Sequence, residues 1–197
     1  ISMIVDVKYK NQEFFASIKD IDIRSISKSE FLEIKKVVET YGVVVVESQN
    51  LNDDDQIKFS QGFGKLEISI GTQTKNPDYN IENAIRPEIS RIGNVNLKNK
   101  TISAKKQKVI FDRGNNYWHT DSSFKPIPAK ISILSAREVP EAGGGTNFID
   151  ARHALETWES KPRKYSIKDL KDCICEHSIV YSRMNNTGDI FADKFKK

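Results

Sequence analysis

The sequence predicts a mainly β fold with helices packed on its outside, and three observations carry that prediction. Apolar residues at helical spacing gather near the N-terminal end. From residue 88 onward, short apolar runs of strand character outnumber helical stretches, with turn signals between them. No linker, repeat or low-complexity block divides the 197 residues. That length suits one full domain and is short for two, so 1–197 is read as a single domain.

The elements follow in order. Ser27 with Glu30 forms a capping box, and Phe31, Ile34, Val38 and Tyr41 continue at helical spacing until Gly42 closes the helix. Val43-Val44-Val45-Val46 is a strand with both faces buried. A second helix starts near Asn52, with Asp53, Asp54 and Asp55 where the helix dipole favours acids, and ends near Gly64. Leu66 to Ile85 shows no clear element.

Glu88 to Val95 reads as a strand, Lys98 to Lys108 as a loop, and Val109 to Phe111 as strand again. Trp118 to Phe124 is strand-like, and Ala129 to Arg137 alternates as a strand does. Pro140 and Gly143-Gly144-Gly145 mark a turn, followed by an extended Thr146 to Ile149. Asp150 caps a helix over Ala151 to Trp158. A short helix near Ser166 to Leu170 leads into a last strand, Cys173 to Tyr181.

Composition excludes several classes. With 38% hydrophobic and 29% charged residues the chain is of soluble globular type. No apolar run has the length needed to cross a bilayer, and no signal pattern opens the chain, so no membrane partner is expected. The 31 basic and 27 acidic residues leave +4, spread along the sequence. Lys98, Lys100, Lys105, Lys106 and Lys108 cluster, but without interleaved aromatics or a recognition helix, so they read as a solvated loop and not as a nucleic-acid site. Cys173 and Cys175 are too close for a good bridge, which points to reduced thiols and a cytoplasmic location.

One stretch concentrates chemistry: Asn116-Tyr117-Trp118-His119-Thr120-Asp121-Ser122-Ser123-Phe124. The chain has only three histidines, and one stands two residues from an aspartate between aromatics. On a strand, positions i and i+2 share a face about 6–7 Å apart, close enough to converge on one metal ion. One nitrogen and one oxygen ligand suit Fe(II) in a 2-His-1-carboxylate site with open positions. A histidine and an acid side by side on a surface strand is the bland alternative. The flanking aromatics, Gly114-Asn115-Asn116 before the pair and the glycine turn after it favour the site.

The stretch GNNYWHTDSSFKPIPAKISILSAREVPEAGGGTNFID resembles the iron-binding core of the TauD/TfdA family of Fe(II)- and 2-oxoglutarate-dependent dioxygenases. YGVVVV, FSQGFGKLE and CEHSIVYSR also resemble that family, so the likeness covers nearly the whole chain. It is closer to the branch typified by 2,4-dichlorophenoxyacetate dioxygenase than to taurine dioxygenase. The resemblance implies a double-stranded β-helix (jelly-roll) core with flanking helices.

It further implies that His119 and Asp121 are two iron ligands, and that the Thr146 hydroxyl hydrogen-bonds the 2-oxoglutarate carboxylate. Asn115 then lies against substrate or co-substrate. Ser69 stands where the taurine enzyme places a histidine on the sulfonate, so taurine is not the expected substrate. His153 and His177 match no ligand position and read as a helix-surface and a structural residue. The implied reaction is oxidation by O2 of a small anionic organic molecule, with 2-oxoglutarate converted to succinate and CO2.

The family pattern also calls for a distal histidine and an arginine, and neither is found before Lys197. The jelly-roll is therefore expected to be incomplete in this chain, which is read first as a piece of a longer enzyme. A natural truncation and completion by another chain, as in a homo-oligomer, are the alternatives. Two other functions stay open: an inactive jelly-roll that binds a small molecule or protein, and a zinc hydrolase built on the same pair, for which Thr146 would have no purpose.

Overall fold

The computed structural model describes residues 4–6, 14–68, 86–90, 92–93, 100–103, 113–160, 162, 164–179 and 181–182. Two compact units divide the chain, one from residues 1–63 and 134–174, the other from residues 64–133 and 175–197.

The first unit is built on a three-stranded sheet in the order β1 (Ile4–Asp6), β2 (Phe15–Lys19), β3 (Val43–Val46). β1 pairs antiparallel with β2, in the register Val5 to Ile18. β3 pairs parallel with β2, with Phe15 opposite Val43 and Ile18 opposite Val46. A parallel partner needs a crossover, and helix α1 (Lys28–Tyr41) supplies it.

α1 forms where the sequence predicts it. The Ser27 hydroxyl accepts from the Glu30 amide at 3.2 Å, and the Glu30 carboxylate accepts from the Ser27 amide at 2.7 Å. At the other end Gly42 takes φ 77°, a left-handed turn that glycine adopts without strain, and its N–H reaches Val38 O at 3.0 Å. That single residue reverses the chain directly into β3.

Helix α2 (Asp53–Gln61) starts with a second capping box: the Asp55 amide donates to Asn52 Oδ1 at 2.9 Å and the Asn52 amide to Asp55 Oδ2 at 3.0 Å. It ends at Gly62, slightly before the expected Gly64.

The core lies between the sheet and these helices. Ile18, Ile23, Ile34 and Leu51 are buried, with Val37, Val38, Phe59 and Phe63 packed against them. Phe31, Phe59 and Phe63 meet edge to face, with ring centroids 4.9–5.8 Å apart. Gln49 ties down the loop beside this core. Its amide nitrogen donates to the carbonyls of Ile21 and Glu47, both at 2.7 Å, and its oxygen accepts from the Ile23 amide at 3.0 Å.

The sequence pattern missed both β1 and β2, and in β2 Ala16, Ser17 and Ile18 are fully enclosed. Ser17 is polar, so its hydroxyl needs a partner there, and it donates to the Glu47 carboxylate. The expectation that Val43–Val46 buries both faces is corrected. β3 is half-buried and Val45 is 42% exposed, and among the described residues the strand pairs on one side only.

The first unit also holds α3 (Ala151–Glu156), capped by Asp150, a 3₁₀ turn at Trp158–Ser160, and α4 (Ile167–Leu170), which opens with a Ser166–Asp169 capping box. Both helices fall where they are predicted, although α3 stops before Trp158. The segment preceding α3 is pinned to the unit at two places. Arg137 donates to Asp53 at 3.3 Å and to Gln56 at 3.0 Å on α2. Arg152 donates to Thr40 O at 3.0 Å and to Tyr41 O at 3.4 Å at the end of α1. Between them Gly143 and Gly144 take φ 79° and 70°, the turn their sequence predicts.

Several expected strands are not strands among the described residues. Residues 86–90 turn, with the Ile89 amide on Arg86 O at 3.1 Å. Residues 118–120 are irregular and 121–124 turn. Along 131–136 burial alternates residue by residue, as the pattern requires, yet no ladder is formed. Residues 146–149 and 173–178 are likewise irregular, and residues 179, 181 and 182 beyond them are helical. Alternation sorts side chains onto two faces, but a strand also needs a hydrogen-bonded ladder, and none is assigned to these segments among the described residues. The expected strand at Val109–Phe111 and most of the lysine loop lie outside the described residues.

Candidate metal centre

The second unit carries the His-x-Asp pair. A 3₁₀ turn at Arg113–Asn116 brings the chain in, with Asn115 half-buried on it. His119 and Asp121 do converge, but not on a strand. Ser122 takes φ 57°, a left-handed conformation uncommon for serine, and the chain turns immediately after Asp121. The Lys125 amide closes that turn on Ser122 O at 2.9 Å.

The geometry of the pair follows from three contacts. His119 Nδ1 lies 2.7 Å from Tyr117 O. A carbonyl can only accept, so Nδ1 carries the proton and a neutral ring keeps its lone pair on Nε2. Nε2 faces Asp121 Oδ1 at 3.3 Å. The other carboxylate oxygen, Oδ2, accepts from the Ser132 hydroxyl at 2.8 Å, which orients the group.

Two electron-rich atoms therefore point at each other, and such an arrangement calls for a cation, either a proton on Nε2 or a metal ion. Both side chains are about half exposed, at 44% and 57%, so a proton-mediated ion pair would add little stability. An imidazole nitrogen with its other N–H anchored, beside a carboxylate held by a hydroxyl, is the donor set and supporting shell of a first-row divalent metal site. Among the described residues no group of three His, Cys, Asp or Glu side chains assembles.

Further support reaches the turn from the GFGKLE stretch. Glu67 Oε1 accepts from Ser122 Oγ at 3.0 Å and pairs with Lys125 Nζ at 2.6 Å. Lys125 Nζ also approaches Ile68 O at 3.5 Å.

The other candidates are placed as follows. Thr146 is exposed and belongs to the first unit, in the segment between Arg137 and Arg152. Ser69 lies outside the described residues. His153 is exposed on α3, as expected, and its carbonyl accepts from Thr157. His177 is exposed and lies in irregular chain, which corrects its reading as a structural strand residue. Cys173 and Cys175 are both free and exposed. Sequence reasoning did not single out Tyr117 O, Ser132, Glu67 or Lys125. Their roles come from contacts that no local spacing announces, and only the hydroxyl and charge types offered a signal.

The chain belongs to the TauD/TfdA family: the family model described as Taurine catabolism dioxygenase TauD, TfdA family, matches residues 7–172. An alpha-ketoglutarate-dependent 2,4-dichlorophenoxyacetate dioxygenase of Cupriavidus pinatubonensis is 33% identical over 174 residues, 86% of this chain and 57% of that protein. A protein of the same name from Burkholderia sp. is 29% identical, over 92% of this chain and 59% of its own. An (S)-phenoxypropionate/alpha-ketoglutarate-dioxygenase of Sphingobium herbicidovorans is 27% identical, over 93% of this chain and 56% of its own. The crystal structure of AAD-2 in complex with Mn(II) and N-oxalylglycine superposes with a TM-score of 0.77 at 29% identity, covering 94% of this chain and 61% of that one. The chain thus spans somewhat over half the length of the relatives it matches.

Proposed function

We propose that the chain is the metal-binding part of an Fe(II)- and 2-oxoglutarate-dependent dioxygenase that hydroxylates a small anionic organic substrate, releasing succinate and CO2. The observation that carries the reading is His119 Nε2 facing Asp121 Oδ1 at 3.3 Å while Nδ1 is tied to a carbonyl. Family membership and relatives named as 2-oxoglutarate dioxygenases support it. So does a solved relative holding Mn(II) and N-oxalylglycine, which have the charge and chelating groups of Fe(II) and 2-oxoglutarate.

In this reading His119 and Asp121 hold the iron, and the metal with its co-substrate supplies the oxidising chemistry. The chain's own residues position and select. Tyr117 O fixes the His119 tautomer, and Ser132 holds one Asp121 oxygen so that the other faces the metal. Thr146 donates its hydroxyl to the 2-oxoglutarate carboxylate, and Asn115 and Ser69 border the substrate. Residues 1–197 form one dioxygenase domain whose core is a double-stranded β-helix.

Relatives named for phenoxyalkanoic acids point to a carboxylate-bearing substrate. A relative named pentalenolactone F synthase keeps the class as broad as a small organic anion. O2 is the other reactant, and neither nucleic acid nor membrane is a partner. Among the described residues no helix is long and apolar enough to cross a membrane. Free, exposed thiols support a cytoplasmic location. Ile127 at 86% and Ile174 at 97% exposed support coverage of these segments in the working protein, with a homo-oligomer as one arrangement.

Anaerobic titration with Fe(II) and 2-oxoglutarate tests the proposal. A visible charge-transfer band that disappears in His119→Ala is the expected result. A well-folded protein that gives no band, or a band that His119→Ala leaves intact, overturns it.

A further inference from the structure

We infer that Glu67 is a positioning residue for the metal ligands: it holds the turn after Asp121 from which the chain returns to set Ser132 on the Asp121 carboxylate. The inference rests on the proposed metal reading for its purpose, but its geometry stands on contacts within the second unit alone.

The Asp121 carboxylate is oriented by Ser132, which donates to Oδ2 at 2.8 Å, and the chain between the two residues turns at Ser122, whose φ of 57° is disfavoured for a residue with a Cβ. A conformation of that kind persists only where its surroundings impose it. The closing bond of the turn, from the Lys125 amide to Ser122 O, is local and leaves the left-handed residue itself unsecured. Glu67 secures it from outside. One carboxylate oxygen takes the Ser122 hydroxyl at 3.0 Å and the Lys125 ammonium at 2.6 Å, gripping the turn at its first and last bends.

The ion pair is sheltered, with Lys125 17% and Glu67 34% exposed, so water screens it less than the pairs at the surface. Lys125 adds a contact to Ile68 O at 3.5 Å, which ties the turn to the backbone following Glu67 as well. Without Glu67, Ser122 is free to return to ordinary φ. The turn at 122–125 then opens, Ser132 leaves Asp121 Oδ2, and the other carboxylate oxygen loses its orientation toward Nε2.

The test compares Glu67→Ala, Glu67→Gln and the double variant Glu67→Ala/Ser122→Gly with the unaltered chain and with Asp121→Ala. Two readouts are taken: hydrogen exchange of the Lys125 amide, which reports the turn, and Mn(II) affinity by electron paramagnetic resonance. Glu67→Ala is expected to speed Lys125 exchange by roughly tenfold while amides of β2 and α1 keep their protection. Glu67→Gln, which keeps an acceptor for Ser122 and loses the charge, falls between.

Mn(II) affinity is expected to drop by roughly tenfold in Glu67→Ala. The double variant should recover most of it, because glycine holds a positive φ without support. Unchanged Lys125 exchange in Glu67→Ala overturns the inference. Faster exchange with unchanged Mn(II) affinity also overturns it, making Glu67 a structural brace only. If Asp121→Ala binds Mn(II) as well as the unaltered chain, the metal reading falls, whereas the exchange data still decide whether Glu67 holds the turn.

Discussion

The guanidinium of Arg152 reaches back 112 residues to the carbonyl of Thr40, which it meets at 3.0 Å, with Tyr41 O at 3.4 Å. The last turn of α1 contains no basic residue, so its free carbonyls and the negative end of its dipole have no local cation. Arg152 provides one from α3. Asp150 aims it, with Nε on Oδ1 at 3.2 Å, and also caps α3 by accepting from the Arg152 amide at 2.9 Å. One arginine thereby fixes the C-terminal side of the segment that carries Thr146.

Replacing Arg152 with Ala should lower stability by about 1 kcal/mol, the range for a half-exposed cation at a helix terminus. It should also raise hydrogen exchange in α3. Urea unfolding and amide exchange measure the two effects. Lys at this position retains the charge but not the two-armed reach, and should recover only part of the loss.

Gly62 is set against the ring of Phe31. A Cβ added there would stand 2.5 Å from Phe31 Cζ. Two effects oppose one another in Gly62→Ala. Helix propensity favours Ala by about 1 kcal/mol, because Gly62 has helical dihedrals. Overpacking costs about 1–3 kcal/mol, since Phe31 is hemmed in by Phe59 and Phe63 and cannot swing aside without breaking the cluster. The variant should therefore be less stable. A higher midpoint in thermal unfolding would show that the ring yields freely.

Acid should loosen the helix starts first. Hydrogen bonds from the Ser27 backbone and side chain hold the Glu30 carboxyl below its ordinary 4.5, and the Ser166 hydroxyl and amide hold Asp169 below 3.8. Desolvation pushes Asp150 upward, but the bonds from Arg152 together outweigh it and leave it lowered. Each folded value lies below the unfolded one. The stabilisation is thus fully present above the ordinary carboxylate value and is lost as pH falls through the lowered one. Helical circular dichroism should hold down to about pH 4 and decline below it. Glu30→Gln, which keeps the amide acceptor of a capping box but not the charge, should weaken that decline.

The local devices were legible in the sequence. Ser27 with Glu30, Gly42, Asn52 with its acids and Asp150 act within a few residues, so their spacing is their mechanism. β2 was not legible, because Phe15–Lys19 is buried on both faces and shows no alternation to read. The pair at His119 and Asp121 was visible for a reason the structure changes. The spacing suggested a shared strand face, whereas the two side chains meet in irregular chain that leads into a turn with a left-handed Ser122. Ser122 depends on Glu67, 55 residues away, and Asp121 on Ser132, and contacts so distant leave no periodic mark.

The most direct test of the central claim is the nitrogen spectrum of the His119 ring, recorded while a diamagnetic divalent ion, Zn(II), is added. The tie to Tyr117 O predicts a proton on Nδ1 throughout, with the Nε2 resonance alone moving as the ion binds, and no movement in Asp121→Asn. A proton found on Nε2 with Nδ1 bare, or an Nε2 resonance that Zn(II) leaves unmoved, would contradict the assignment of His119 and Asp121 as metal ligands.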